Sequence, residues 1–364
     1  VTSAPAVASL RASAYTVPTD RPEADGTLAW DSTTIVVVEA EAGSVTGLGW
    51  TYAPAVGAQV VTDLLAPAVT GRPALDPEDS WSAMVRAVRN AGRPGLVGCA
   101  ISATDIALWD LAARLRGVPL VELWDQPARP VEVYGSGGFT TYDDATLEAQ
   151  LRGWLDLGCR RVKIKIGESW GTCTERDLER AARAAVVTAG EAELMVDANG
   201  AYDVEQACTV GRRLDALGVT WLEEPVSSDD HEGLTAVREH LRADVAAGEY
   251  GWDLAGLVHL APHVDCLQVD VTRCGGYTEW RRVAADPRLA GVDLSGHCAP
   301  YASLPVAATT PQLRHVEYFH DHVRIERRFF DGCVGIRDGR LVVPDGPGHG
   351  LSFRRGEAEQ HRVA

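Results

Sequence analysis

Lys163 and Lys165 are the only lysines in the 364-residue sequence, and every other side chain of fixed positive charge is arginine. A guanidinium holds its proton at any physiological pH, whereas an ammonium can be desolvated until it works as a base or a Schiff-base nucleophile. The two stand in Arg161-Val162-Lys163-Ile164-Lys165-Ile166. That alternation is of β type, so both amines are expected on one face of a strand, one layer above the other. A chain that uses arginine elsewhere and keeps two neighbouring amines reads as one that needs the amine itself. Their closeness to each other, and to any cation nearby, is expected to lower the pKa of at least one.

Three carboxylates follow at intervals of about one βα unit: Asp197, then Glu223 or Glu224, then Glu249. Brought to one height they repel unless a cation sits between them, and an oxygen-only donor set suits a hard divalent ion such as Mg²⁺. Asp270 and His297 lie at the ends of the next two apolar stretches. A carboxylate beside an imidazole fixes its tautomer and favours its protonated form, which makes a poised acid or base. Glu317 ends the stretch after that.

The elements that must position these groups are short apolar strands at 131–136, 161–166, 193–197, 220–224, 245–249, 266–270, 291–297 and 316–320, alternating with amphipathic helices. Eight such units predict a TIM-type barrel, whose active sites assemble at the carboxyl ends of the strands. No GxGxxG follows a strand, so a nucleotide-binding sheet is not indicated. Ahead of the barrel, 1–128 reads as a mixed domain with strands at 6–15 and 33–40 and helices at 53–69, 79–89 and 98–116. The polar, Pro/Gly-rich segment 18–26 is either a hairpin loop or a mobile lid. The tail 324–364 carries no further βα unit and is expected to pack back on the first domain.

Composition is that of an ordinary globular protein, 46% hydrophobic and 23% charged. A net charge of -17 argues against nucleic acid or an anionic membrane surface as partner. No run of about 18 apolar residues is apparent, and no signal peptide, so a cytoplasmic location is expected. The eight cysteines show no zinc spacing and read as reduced, mostly buried small hydrophobes. The nine histidines other than His297 read as ordinary surface or core residues.

The ordered set resembles the enolase superfamily, in particular its mandelate racemase subgroup. Lys163-Ile164-Lys165 resembles the KxK motif, Asp197-Ala198-Asn199-Gly200 the DAN segment, Trp221-Leu222-Glu223-Glu224-Pro225 the WxEEP segment, and Gly248-Glu249 the third metal position. Asp270, His297 and Glu317 resemble its His–Asp dyad and eighth-strand acid. The resemblance implies a (β/α)7β barrel at 129–323, an α+β capping domain at 1–128, and a segment 324–364 returning to the cap. It implies one Mg²⁺ held by Asp197, Glu223 and Glu249, Lys165 as base on one face of the substrate, and His297, supported by Asp270, as acid or base on the other. Lys163 would neutralise the substrate carboxylate, Glu317 would bond its second oxygen, Asn199 would contact a hydroxyl, and 18–26 would be the lid. A homo-oligomer, dimer or octamer, is implied as well. The segment Cys298-Ala299-Pro300-Tyr301-Ala302-Ser303-Leu304-Pro305 departs from many relatives in lacking a His-Leu pair, so contacts near the seventh strand are expected to differ.

The expected activity is dehydration of a small carboxylate substrate, an aldonate or aldarate, through an enolate to a 2-keto-3-deoxy acid. The alternative is racemisation or epimerisation of a 2-hydroxy acid through the same intermediate. A Schiff-base aldolase and a non-catalytic ligand-binding protein are more remote readings.

Overall fold

The computed structural model describes residues 5–124 and 126–364. Three antiparallel strands come first: β1 (Ser9–Ala24), β2 (Ala29–Ala42) and β3 (Val45–Tyr52), in the order β1-β2-β3. The β-branched run Ile35–Val38 lies fully inside β2 and anchors the sheet. β1 and β2 reach well beyond the expected strands. The segment 18–26 continues the hairpin with a register break between Pro18 and Glu23, where prolines that cannot donate interrupt the ladder. β3 was not expected, because Gly47 and Gly49 dilute its pattern. Packing explains them: a Cβ on Gly49 would lie 2.1 Å from the Ala103 carbonyl, and on Gly47 2.2 Å from that of Ala107.

The helix Leu96–Arg116 therefore rests directly on the backbone of β3. It is long and apolar enough to cross a membrane, contrary to the expectation that no such stretch exists, yet its most apolar window is 89% buried inside the fold. Its two acids are satisfied there. Asp105 accepts from Thr278 N (2.9 Å) and Oγ1 (2.6 Å), and Asp110 from Leu48 N (2.8 Å) and His349 N (2.9 Å). Buried carboxylates need such partners, and these tie the helix to barrel, sheet and tail at once.

Eight parallel strands form the barrel: β4 (Val131–Gly137), β5 (Arg161–Lys165), β6 (Glu193–Asp197), β7 (Trp221–Glu223), β8 (Asp244–Ala247), β9 (Cys266–Val269), β10 (Asp293–Gly296) and β11 (Leu313–Phe319), closed by pairing of β11 with β4. Strand alternation separates two environments. Val162, Ile164, Val196, Leu222, Val245, Leu267 and Leu294 join the main core, which also takes in buried residues of the outer helices. Tyr134, Met195, Trp221, Ala246 and Cys266 form a separate cluster that plugs the barrel below the site. Several outer helices start on an aspartate whose side chain accepts a backbone N–H: Asp143, Asp203, Asp230 and Asp253. Each such cap contributes about 1 kcal/mol.

The helix His320–Phe329 follows β11 without a break and crosses the expected boundary at 323. Beyond it, β12 (Phe330–Asp331) pairs with β14 (Ser352–Phe353), and β13 (Arg340–Leu341) adds an antiparallel edge to β4. Val363 N–H then reaches the Ala14 carbonyl at 2.8 Å, so the tail touches both barrel and hairpin sheet.

Candidate active site

Register alone aligns the first groups. Lys165 is opposite Asp197 across β5 and β6, and Asp197 is opposite Glu223 across β6 and β7. Glu249, Asp270 and His297 sit one or two residues past the ends of β8, β9 and β10, on backbone that turns inward. All of these, with Lys163 and Glu317, are at most 5% exposed. Donor oxygens of Asp197, Glu223 and Glu249 lie within 4.8 Å of one another.

Each charge is surrounded. Lys163 Nζ pairs with Glu223 Oε1, with Glu317 Oε1 at 2.8 Å and with Asp197 Oδ2 at 3.5 Å, and lies 5.3 Å from the Tyr134 ring. Lys165 Nζ meets Asp197 Oδ2 at 2.5 Å. Across the mouth, His297 Nδ1 contacts Asp270 Oδ2 at 2.7 Å, and its Nε2 faces Glu249 Oε2 at 3.1 Å and Glu317 Oε2 at 3.6 Å. Strand order and contacts thus bring together all the ionisable groups singled out from the sequence.

The lysines correct one expectation. Burial favours the neutral amine, but the carboxylates beside them outweigh it: Glu223 and Glu317 hold Lys163 well above its usual range, and Asp197 does the same for Lys165. Their mutual repulsion, one of the two grounds of the expected lowering beside a nearby divalent cation, is smaller than the pull of these acids. Lys163 is also fully buried and already paired, so it meets no outside carboxylate in this arrangement. His297 follows expectation. Burial disfavours its charge, yet Cys298, Glu249, Glu317 and Asp270 raise it well above 6.5.

The acids divide in the same way. Burial and the Asp197 charge push Glu223 up to about 8, and burial with Glu249 and Asp197 raises Glu224 well above its ordinary value. Burial also raises Asp197 and Glu249, but the lysines hold the first below its ordinary value, and His297 with Arg273 hold the second well below. Among the described residues Glu224 Oε1 and Glu249 Oε2 have no hydrogen-bond donor in good geometry, although both are buried. A crowded, all-oxygen cluster with orphaned lone pairs fits a hard divalent cation. His297, Cys298 and Glu317 form a second close group, whose thiol suits a softer metal.

Glu224, the alternative to Glu223 in the sequence, is buried as well. Several other residues escaped the sequence reading. Arg273 bridges Glu249 Oε1 (3.1 Å) and Asp270 Oδ2 (3.4 Å), and Ser136 Oγ donates to Glu317 Oε1 (2.6 Å). Cys298 donates its N–H to Glu317 Oε2 (3.0 Å) and places Sγ 3.3 Å from His297 Nε2. Arg273 could have been suspected from its spacing three residues after Asp270; nothing local announces Ser136. Asn199 turns out to sit at φ 47°, its N–H bonded to Asp197 Oδ1 at 2.9 Å and its side-chain oxygen free among the described residues.

The hairpin of β1 and β2 closes over this mouth. Thr140 N–H donates to the Ala24 carbonyl (2.8 Å), and Trp170 N–H to that of Gly26 (2.8 Å). A Cβ on Gly26 would come within 2.6 Å of the Ala198 carbonyl, so only glycine lets the tip sit this low. Beneath it Phe139, Tyr142, Cys298 and Phe319 pack together with Trp30, and Lys165 Nζ lies 5.8 Å from the Phe319 ring.

Comparison with known proteins agrees with this geometry. Residues 12–124 match the mandelate racemase / muconate lactonizing enzyme N-terminal domain, and residues 146–357 the enolase C-terminal domain-like family. The chain belongs to the enolase superfamily, in its mandelate racemase / muconate lactonizing enzyme branch. Its curated relatives include dehydratases, cycloisomerases and an epimerase. One, arabinonate dehydratase from Saccharolobus solfataricus, is 29% identical over 295 residues, 78% of this chain and 77% of the relative. A mandelate racemase/muconate lactonizing enzyme-like protein from Rubrobacter xylanophilus superposes with a TM-score of 0.95 at 47% identity, covering 99% of this chain and 100% of that one. An enolase from Bradyrhizobium, solved with magnesium and mandelic acid, superposes at 0.90 with 28% identity over the full length of both chains.

Proposed function

We propose that this chain is an Mg²⁺-dependent dehydratase of a sugar acid, an aldonate or aldarate, yielding a 2-keto-3-deoxy acid. The observation that carries the reading is the opposition of Lys165 and the His297–Asp270 pair across three converging carboxylates. Asp197, Glu223 and Glu249 would hold the cation, which when bound would supply positive charge for the substrate carboxylate. Lys165, in its neutral form, takes the proton next to the carboxylate. His297, kept protonated by its acidic neighbours, hands its proton to the departing β-hydroxyl, while Asp270 holds the ring in place. Lys163 and Glu317 fix one another at the floor and balance the charge that develops above them. Asn199, with its free side-chain oxygen at the rim, is suited to a substrate hydroxyl. With this assignment goes a capping domain at 1–128, a barrel from 129 whose last helix runs past 323 to Phe329, and a tail to 364.

One observation favours a second reading, racemisation of a 2-hydroxy acid. The wall above Lys165 is Phe139, Tyr142, Phe319 and Trp30, which suits a substrate with an apolar body better than a polyol. In that case His297 returns its proton to carbon. A Schiff-base route is disfavoured, since it would leave the three converging carboxylates Asp197, Glu223 and Glu249 without a role. Incubation with Mg²⁺ and a panel of aldonic, aldaric and aromatic 2-hydroxy acids separates the readings. Keto acid trapped by semicarbazide supports dehydration. Exchange of the α-proton in D₂O with no keto acid from any member overturns it in favour of racemisation.

A further inference from the structure

Outside the barrel, three of the ten histidines meet on two consecutive βα units. His231 opens the helix His231–His240, His259 lies in the last turn of the helix Leu254–Leu260, and His263 closes the turn Ala261–His263 that follows. Their ring centroids are 4.9 Å apart for His231 and His259, 5.1 Å for His231 and His263, and 6.2 Å for His259 and His263. Three imidazoles that bind one tetrahedral ion through nitrogens at about 2.1 Å place their centroids about 5 Å apart. Two of the three separations already meet that spacing, and the third exceeds it by roughly an ångström. His231 and His263 are stacked at 24°, and the nitrogens of the three rings do not all converge within 4.8 Å as they stand, so chelation requires these rings to turn about their side-chain torsions.

The surroundings suit such a cluster. The backbone is held: the Arg238 guanidinium donates to the carbonyls of Pro262 (2.9 Å) and Val264 (3.1 Å), tying the turn to the first helix. Thr235 Oγ1 lies 2.8 Å from His263 Nδ1, which leaves Nε2 for a ligand and supplies the outer hydrogen bond that metal-bound imidazoles usually have. Burial, His263 and His259 together depress His231 below its ordinary value, against a smaller opposing pull from Asp229 and Asp230. His259 is exposed and the other two half-buried, so an ion has access from solvent.

We propose that His231, His259 and His263 form a tris-imidazole site for a late first-row divalent cation, Zn²⁺, Ni²⁺ or Cu²⁺. The all-nitrogen donor set is the chemical opposite of the carboxylate cluster at the mouth, so the two sites select different ions. A bound ion clamps the helices of two adjacent βα units and stabilises the barrel by binding only its folded form.

The test is calorimetric titration of Zn²⁺ into untagged protein saturated with Mg²⁺, comparing the natural chain with His259→Ala and with the triple variant His231→Ala/His259→Ala/His263→Ala. The expected result is one Zn²⁺ per chain more for the natural protein than for the triple variant, with at least about tenfold weaker binding in His259→Ala. A rise in melting temperature with Zn²⁺ should appear in the natural chain and be absent from the triple variant. Equal stoichiometry in the natural chain and the triple variant overturns the proposal, whether that number is zero or reflects uptake by the His297–Cys298–Glu317 group or another thiol.

Discussion

At the amino-terminal rim of the barrel two arginines each hold two acids: Arg161 spans Glu132 and Glu193, both at 3.0 Å, and Arg314 spans Asp293 at 2.6 Å and Asp244 at 2.5 Å. At the carboxyl-terminal mouth the same kinds of charge are fully buried, share partners three and four at a time, and leave Glu224 Oε1 without a donor among the described residues. A cavity of about 350 Å³ opens at the first rim, yet its charges are already neutralised in half-exposed pairs. Concavity and charge are therefore common to both ends. What separates them is unfinished electrostatics, which one rim lacks and the other has in excess.

The comparison breaks most readily at Lys165. Lys165→Arg keeps the charge but cannot give up the proton, so kcat should fall by about 10³-fold or more with Mg²⁺ affinity retained. The counterpart Arg161→Lys at the other rim should leave kcat unchanged. Next in size is Glu249→Gln, expected to weaken Mg²⁺ binding about 100-fold by calorimetry, because it removes one of three anionic donors. Gly26→Ala should lower kcat/KM roughly tenfold without altering metal affinity, since its methyl group would push the hairpin tip off the Ala198 carbonyl.

A smaller effect concerns Glu23, buried in the hairpin with one oxygen accepting from Trp30 Nε1 at 2.9 Å and the other free among the described residues. Burial and the nearby Asp321 push its carboxyl up to about 8, against weaker counter-pulls from the Trp30 hydrogen bond and Arg324. An acid raised in the folded state contributes fully below its unfolded value, near 4.5, and its contribution is lost as pH rises to about 8. Glu23→Gln should therefore melt with the natural chain near pH 4.5 and several degrees above it at pH 9. Smallest of all, Arg314→Met should cost about 1 kcal/mol or less in denaturant melts and nothing in kcat, as partly exposed pairs do.

The candidate site was legible because its residues are tied to strand ends, and a strand end is a pattern of apolar alternation that stops. Lys163, Lys165, Asp197 and Glu223 fall where register puts them. The capping sheet was harder to read. β3 hides behind two glycines whose reason is a helix elsewhere in the chain, and the hairpin's polar tip looks like a loop until its docking partners Thr140 and Trp170 are seen. The lysines illustrate a different gap: pairwise reasoning saw two cations repelling, while the fold surrounds them with acids from other strands. Arg273 and Ser136 act through contacts that no short motif encodes.

The residues just past three strands carry a consequence for how this protein tolerates mutation. Asn199 (φ 47°), Glu224 (φ 38°), Cys298 (φ 47°) and Ala299 (φ 39°) all occupy the left-handed region that glycine enters freely and other residues avoid. In a saturation library these four positions should reverse the usual ranking of conservative changes. Glycine, which loses a side chain but relaxes the backbone, should be accepted more often at Ala299 than valine. At Asn199 and Glu224 glycine should yield better-folded but poorer enzymes, which marks them as places where conformational ease was given up for chemistry.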